Sequence, residues 1–285
     1  MKYPAIIGWS FAGAVETVGE GASSFKVGDR VVVKRSLSAH ENSYAAFQKY
    51  ALATELTAVK LEDKTSFEDA AATILNLATA VAVLNAHMGL DLAPVSGPAK
   101  SNGKRILIYG GSSSVGGLAA RYASDAGYEV VTTSSPKNES FVSALGAKAV
   151  IDHTQSPDVL VAALKSHGPY EGILDCIGTP PVDMLMAKVL GDRGGTYYSV
   201  LPQMSDFKMP GNIKREFGSY SIVLENERKD LGEYFYKEYL PKALANGRIV
   251  PTRVERIPGG LGGVQEALDR SLMVSGKKLI VNPWE

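Results

Sequence analysis

A short apolar run, Ile106-Leu107-Ile108-Tyr109, gives way to the small-residue turn Gly110-Gly111-Ser112-Ser113-Ser114-Val115-Gly116-Gly117, and this leads straight into a helix-forming segment, Leu118–Ala123. No other stretch restricts the fold as tightly. Strand, small-residue turn and helix in that order expose the first backbone N–H groups of the helix above the strand, where they suit a pyrophosphate. Gly111 and Gly116 match the first and last glycines of the dinucleotide fingerprint, and Ser113 stands where the middle one is expected. Serine is small, and its hydroxyl is a further donor toward a phosphate oxygen.

The context supports this reading. Arg105–Tyr109, Glu129–Ser134, Ala149–Asp152, Gly172–Cys176 and Gly195–Val200 read as short strands. Helices over Gly116–Asp125, Asn138–Leu145, Pro157–Lys165 and Val182–Val189 separate them. Short strands alternating with helices predict an α/β unit, a parallel sheet covered on both faces and doubly wound. Residues 1–60 have another texture. A strand-like run at Ala14–Val18, a turn at Lys26–Asp29, a strand at Arg30–Lys34 and a further short strand at Leu56–Leu61 predict a small barrel or sandwich. Ser66 followed by Glu68 and Asp69 reads as a helix N-cap with acids in the first turn. The runs through Ala70–Leu77 and Ala78–His87 read as a helix pair, and Gly89–Gly103 as a loop. Residues 202–226 are irregular. A helix over Lys229–Asn246, a closing segment Arg248–Pro251, a helix over Val264–Leu272 and a strand at Lys278–Asn282 complete the chain.

Charge sets limits on partners. The 285 residues carry 30 basic and 30 acidic side chains, a formal net charge of 0, which gives no electrostatic footprint for nucleic acid or an anionic membrane. The single cysteine, Cys176, excludes an intrachain disulfide and a cysteine-rich zinc site. No stretch reads as a transmembrane span or a signal peptide, so a cytoplasmic location is the expectation.

The adenine ribose of a dinucleotide meets the end of the second strand of such a sheet, where an acid would favour NAD. Here that position is Thr132-Thr133-Ser134-Ser135-Pro136-Lys137-Asn138, with no acid before Glu139. Lys137 as a point charge, with Ser135 and Asn138 as donors, suits a 2′-phosphate. Asp175-Cys176-Ile177-Gly178 ends the fourth strand at the binding crevice, where Gly178 lets a cofactor pass close to backbone. Cys176 reads as a core residue or as one that supports the site from behind, since no base is paired with it. His40, His87, His153 and His167 show no metal-ligand spacing, and His153, just past the third strand, falls where an adenine edge would lie. No catalytic residue and no metal ligand is assigned.

The chain resembles the medium-chain dehydrogenase/reductase superfamily, most closely its zinc-independent quinone-reductase and enoyl-reductase branch. The resemblance rests on Gly8-Trp9-Ser10-Phe11-Ala12-Gly13 running into Val15–Gly19 and Phe25–Val31, and on Phe67–Ala71 preceding Thr79-Ala80. It rests also on Gly110–Gly116, on Leu145-Gly146-Ala147 leading to Val150–Asp152, and on Ser275–Val281. It implies NADPH held between a Rossmann domain (76–250) and a GroES-like barrel-type domain built from both chain ends (1–75 and 251–285), with Thr79 near the nicotinamide. Ser135–Asn138 is similar to the 2′-phosphate loop of fungal trans-acting enoyl reductases, in which the place of His153 is often an aromatic cofactor contact. Trp9 and Ser10 stand where zinc-dependent relatives carry a metal-binding histidine and a glutamate.

What the resemblance implies is an NADPH-dependent reductase that passes hydride to an activated C=C bond, an enoyl thioester or enone, or to a quinone. The proton donor is left among the Tyr and Ser residues of 197–222. An alcohol dehydrogenase-like carbonyl reductase is the alternative within the superfamily. Family members usually begin some 50 or more residues earlier, so a weakly active or non-catalytic NADPH-binding protein is a second alternative. The expected partner is a small molecule or acyl thioester, with a polyketide synthase implied by resemblance alone, and the chain is open to being a monomer or a homodimer.

Overall fold

The computed structural model of the protein describes residues 3–249 and 252–285. Two compact units are distinguished by their internal contacts, one of Met1–Ala78 with Ser221–Glu285 and the other of Thr79–Tyr220.

In the first unit, β1 (Ser10–Ala14), β2 (Arg30–Lys34) and β3 (Ala58–Lys60) form an antiparallel sheet in the order β1-β2-β3. The strand expected over Ala14–Val18 lies earlier in the chain. Register decides this, because Ser10 faces Lys34 and Ala14 faces Arg30. Beyond Ala14 the chain bends, and Val15 is tied to the turn by Val15 N–H to Asp29 O (2.9 Å) and Gly28 N–H to Val15 O (2.9 Å). The Asp29 carboxylate closes that turn by accepting from Lys26 N–H at 3.0 Å.

Ser66 caps the following helix as expected, its Oγ accepting from Asp69 N–H at 3.0 Å. The predicted helix pair is a single helix. α1 (Phe67–Val81) continues without a break into a π-helical segment, Ala82–His87. Neither glycine nor proline interrupts residues 67–87, so nothing breaks the hydrogen-bond ladder. Asn85 finishes it, its amide donating to Leu90 O and Asp91 O, both at 3.0 Å. With mean hydropathy 1.4 this 21-residue helix is long and apolar enough to cross a membrane, which corrects the sequence reading that no stretch is. Of its most apolar window 67% is buried inside the protein, as befits a core helix.

The second unit is organised by six parallel strands. In chain order its elements are β4 (Arg105–Tyr109), α2 (Ser114–Asp125), β5 (Glu129–Ser134), α3 (Glu139–Ala144), β6 (Ala149–Asp152), α4 (Pro157–Ser166), β7 (Gly172–Asp175), α5 (Pro180–Leu190), β8 (Gly195–Ser199) and β9 (Ile213–Phe217). The sheet order is β6-β5-β4-β7-β8-β9, every neighbouring pair parallel. This is the doubly wound arrangement, with strand order reversing between β4 and β7. Leu107, Val131, Ile173 and Tyr197 from the sheet pack with Leu160, Leu164 and Met186 from α4 and α5. Strand β9 lies inside the stretch read as irregular. It is an edge strand, Ile-Lys-Arg-Glu-Phe, and only Ile213 of the five is fully buried, so its apolar pattern is faint.

The chain then returns to the first unit. Lys229–Ala245 is helical throughout, as α6 (Lys229–Glu233), a π-helical segment Tyr234–Tyr239 and α7 (Leu240–Ala245). Val250 and Pro251 of the expected closing segment lie outside the described residues. β10 (Arg253–Ile257), α8 (Val264–Ser271) and β11 (Lys277–Val281) follow, and β10 pairs with β11 in parallel. The expected barrel-type domain is thus a three-stranded and a two-stranded sheet, and among the described residues no strand pairing closes them into one barrel.

One buried ion pair joins distant parts of this unit. Lys34 at the end of β2 donates to Glu225, and Ser36 Oγ donates to the other carboxylate oxygen at 2.5 Å. The two charged side chains are 1% and 3% exposed. Burial pushes the Lys34 ammonium below its usual range, and the Glu225 carboxylate opposes that shift. Losing one partner leaves an uncompensated buried charge, which costs about 3–5 kcal/mol. Lys34→Met alone should lower unfolding free energy in urea by about that amount, and Lys34→Met with Glu225→Gln should recover most of the loss. A double variant as unstable as the single one would show that the pair is not what holds these segments.

Candidate nucleotide-binding site

At the carboxyl end of β4 the chain turns at Gly110, with φ +92°, a conformation that favours glycine. Two bonds stitch the turn to β5, from Gly110 N–H to Thr133 Oγ1 and from Gly111 N–H to Thr133 O, each 2.9 Å. A β-carbon at Gly111 would lie 2.3 Å from Thr132 Oγ1, and one at Gly116 would lie 2.2 Å from the Gly110 carbonyl oxygen. Neither position accepts a side chain. Ser113 is the N-cap of α2, its Oγ accepting from Gly116 N–H at 3.1 Å. Its hydroxyl donates inward to Gly110 O at 2.7 Å, so the serine in the middle-glycine place serves the turn rather than facing outward as a donor.

The amides of Ser112, Ser114 and Val115 have no hydrogen-bond partner among the described residues, and these three side chains are half-buried. Three unpaired N–H groups at the start of a 12-residue helix form a cradle for an anion, reinforced by the helix dipole. The donor set therefore fits the pyrophosphate of a dinucleotide.

Across the point where strand order reverses, β7 leads into Cys176-Ile177-Gly178. Gly178 has φ +65°, and a β-carbon there would lie 2.5 Å from Leu201 Cβ. Ile177 packs against the first turn, 2.7 Å from where a β-carbon at Gly110 would sit. Cys176 is buried, and burial pushes its thiol well above the usual range, so it is a core group and not a thiolate.

The 2′-phosphate candidates follow β5. Ser135 is half-buried, Lys137 is exposed, and Asn138 is only 3% exposed in the short turn that starts α3. His153 is exposed one residue past β6, and its backbone N–H donates to Ser134 O at 3.2 Å, which brings it to the same end of the sheet. Thr79 is carried by a different element, the long helix, where it is half-buried. None of the tyrosine hydroxyls of 197–220 is left free as a proton donor. Tyr197 donates to Asp183 (2.8 Å), Tyr198 to His87 O (2.9 Å) and Tyr220 to Glu216 O (2.9 Å).

The sequence reading passed over Asp183 and Arg215, which form a buried polar cluster below Gly178 with Ser199, one of the residues of 197–222 considered there as a proton donor. Arg215 was the available signal, a cation in the stretch 202–226 read as irregular.

Among the described residues no group of three or more His, Cys, Asp or Glu side chains is placed to hold a metal ion. The positions of the zinc ligands are put to other use. Ser10 Oγ donates to Ala71 O at 3.0 Å, and the Arg35 guanidinium lies 5.2 Å from the centre of the Trp9 ring.

Residues 1–63 match the alcohol dehydrogenase GroES-like domain. The chain is 34% identical to the trans-enoyl reductase himH of Aspergillus japonicus over 286 residues, covering 99% of this chain and 82% of that protein. It belongs to the zinc-independent medium-chain dehydrogenase/reductase superfamily. It is 31% identical over 314 residues to the dehydrogenase pigH of Monascus ruber, covering 99% of this chain and 84% of the relative. Among solved structures it shares the fold of a Pseudomonas syringae quinone oxidoreductase, with a TM-score of 0.75, 24% identity and coverage of 99% and 83% of the two chains.

Two outcomes check the site. Alanine normally stabilises a helix relative to glycine, but Gly116→Ala should destabilise by about 1–3 kcal/mol through the clash with Gly110 O, seen as a lower thermal midpoint. A raised midpoint would contradict the close approach. Cys176 should react with a thiol reagent only as the protein unfolds, and rapid labelling of the native chain would contradict its burial.

Proposed function

We propose that this protein is an NADPH-dependent reductase that delivers hydride to an activated C=C bond, as in an enone or an enoyl thioester. Its superfamily membership makes it an NAD(P)H-dependent oxidoreductase of the enoyl-reductase and quinone-reductase type, without a catalytic zinc site. The observation that carries the cofactor assignment is the open cradle of Ser112, Ser114 and Val115 amides at the reversal point of the sheet, with an exposed lysine and no acid at the end of β5.

In this reading the three amides hold the pyrophosphate, and Ser135 and Lys137 engage the 2′-phosphate. His153 borders the adenine. Gly110, Gly111 and Gly116 let the first turn pack closely against Ile177, Thr132 and the Gly110 carbonyl, which holds the cradle amides in place, and Gly178 lets the second turn pack closely against Leu201. When bound, NADPH supplies the hydride. The chain's own task is to orient the cofactor and to exclude water from the acceptor. Related proteins named as trans-enoyl reductases support an α,β-unsaturated acyl thioester as the acceptor.

Lys137→Ala tests the cofactor choice. Removing one partly exposed charge-assisted hydrogen bond should weaken NADPH binding about tenfold and leave NADH binding unchanged. Equal loss for both cofactors would sink the phosphate assignment. NADPH oxidation followed by absorbance across a panel of enones, enoyl thioesters, quinones and simple ketones tests the reaction. The expected order places the conjugated C=C acceptors first, and turnover of ketones alone would overturn it.

A further inference from the structure

Below the second turn lies a buried polar cluster within the second unit. Asp175 Oδ1 accepts from the N–H groups of Ile177 (2.9 Å) and Gly178 (3.0 Å), and its Oδ2 accepts from Ser199 Oγ at 3.0 Å. Ser199 Oγ in turn accepts from Arg215 Nη2 at 3.0 Å. The same Nη2 donates to Leu201 O at 2.8 Å, and Leu201 is the residue packed where Gly178 lacks a β-carbon. Arg215 Nε is fixed by Asp183 Oδ1 at 2.9 Å, which also accepts from Tyr197. Asp175, Asp183 and Ser199 are completely buried.

Such a cluster is costly for stability. Two carboxylates and one guanidinium are withdrawn from water, and Asp183 Oδ2 has no partner in the described residues. An apolar filling of the same volume would hold β7, β8 and β9 together at less cost. What apolar groups cannot do is grip backbone N–H groups directionally. Here the gripped groups are the two amides of the Gly178 turn, and Arg215 fixes both its base, through Ser199, and its flank, through Leu201.

We infer that Asp175, Ser199 and Arg215 are positioning residues that hold the Gly178 turn in place for the non-adenosine half of the cofactor. The inference rests on the function proposed above. In a doubly wound sheet the two halves of a dinucleotide fall on the two sides of the strand-order reversal. The adenosine half belongs to the β4–β6 side and the other half to the β7–β9 side, where this turn lies.

The test compares NADPH with adenosine 2′,5′-bisphosphate, which carries the adenosine half alone, by calorimetry on the wild type, Ser199→Ala and Asp175→Asn. Ser199→Ala removes the bond to Asp175 Oδ2 and the link to Arg215 while leaving both turn amides on Asp175, and it carries the test should Asp175→Asn fail to fold. Each folded variant should bind NADPH about tenfold more weakly, the worth of one buried hydrogen bond, with bisphosphate binding within about twofold. In turnover kcat should fall while the KM of the acceptor holds. Equal loss of both ligands, or loss of neither, would overturn the positioning role and leave the proposed function standing. A wild type that binds neither ligand would overturn the function itself.

Discussion

A β-carbon on Gly116 would lie 2.2 Å from the carbonyl oxygen of Gly110, so the start of α2 rests directly on the end of β4. The rest of the second unit follows from that approach. It keeps the turn short, and a short turn leaves the amides of Ser112, Ser114 and Val115 above the strand with nothing in the chain to bond to. It obliges Ser113 to act at both ends of the turn, accepting from Gly116 N–H and donating to Gly110 O, because only a short hydroxyl side chain spans that gap. Strand β4 lies at the centre of the sheet, between β5 and β7, so the unpaired amides open at the place where strand order reverses.

The two sides of that reversal are held by different physics. On the β4–β5 side the turn is fixed by neutral groups, with Thr133 accepting from two amides and Thr132 Oγ1 donating to Ile108 O at 2.5 Å. A neutral wall adds no repulsion toward a doubly charged pyrophosphate, and the amide dipoles alone favour it. On the β7–β9 side the turn is fixed by ions. The Asp175 carboxyl is pushed above its usual range chiefly by burial, while the Gly178 and Ile177 amides, Ser199 and Arg215 draw it back. Its lone pairs are engaged by protein donors, which directs its charge into the protein and away from the crevice.

The sequence was most legible where the pattern is local. Strands β4, β5 and β6, the capping serine at 66, the glycine turn and the turn at Lys26–Asp29 all depend on residues within a few positions of one another. The features missed depend on partners far along the chain. Strand β1 is placed by its register against Arg30–Lys34, not by the apolar run at Ala14–Val18. Strand β9 is largely charged, and its Arg215 is placed through Asp183, Ser199 and Leu201, 32, 16 and 14 residues away. The same holds for Lys34 and Glu225, 191 residues apart. In the candidate site, the glycines and serines of 110–116 announce a tight turn with free amides, but nothing local says that Ser113 turns its hydroxyl inward or that Asn138 is buried.

The replacements at Trp9 and Ser10 bear on which acceptors suit this chain. An indole N–H has no lone pair for a metal, and the Ser10 hydroxyl is committed to the Ala71 carbonyl. A zinc ion polarises an unactivated carbonyl as a Lewis acid, and that role needs ligating donors which these two positions do not offer. In the proposed reaction the polarisation is built into the acceptor. Conjugation to a carbonyl or thioester makes a β-carbon electron-poor without help from a metal, and a quinone is electron-poor throughout. Saturated ketones lack that built-in activation. The side chains at the first strand and the unpaired amides at the fourth thus bear on the proposed acceptor and the proposed donor independently, one by what has been removed and the other by what has been left unpaired.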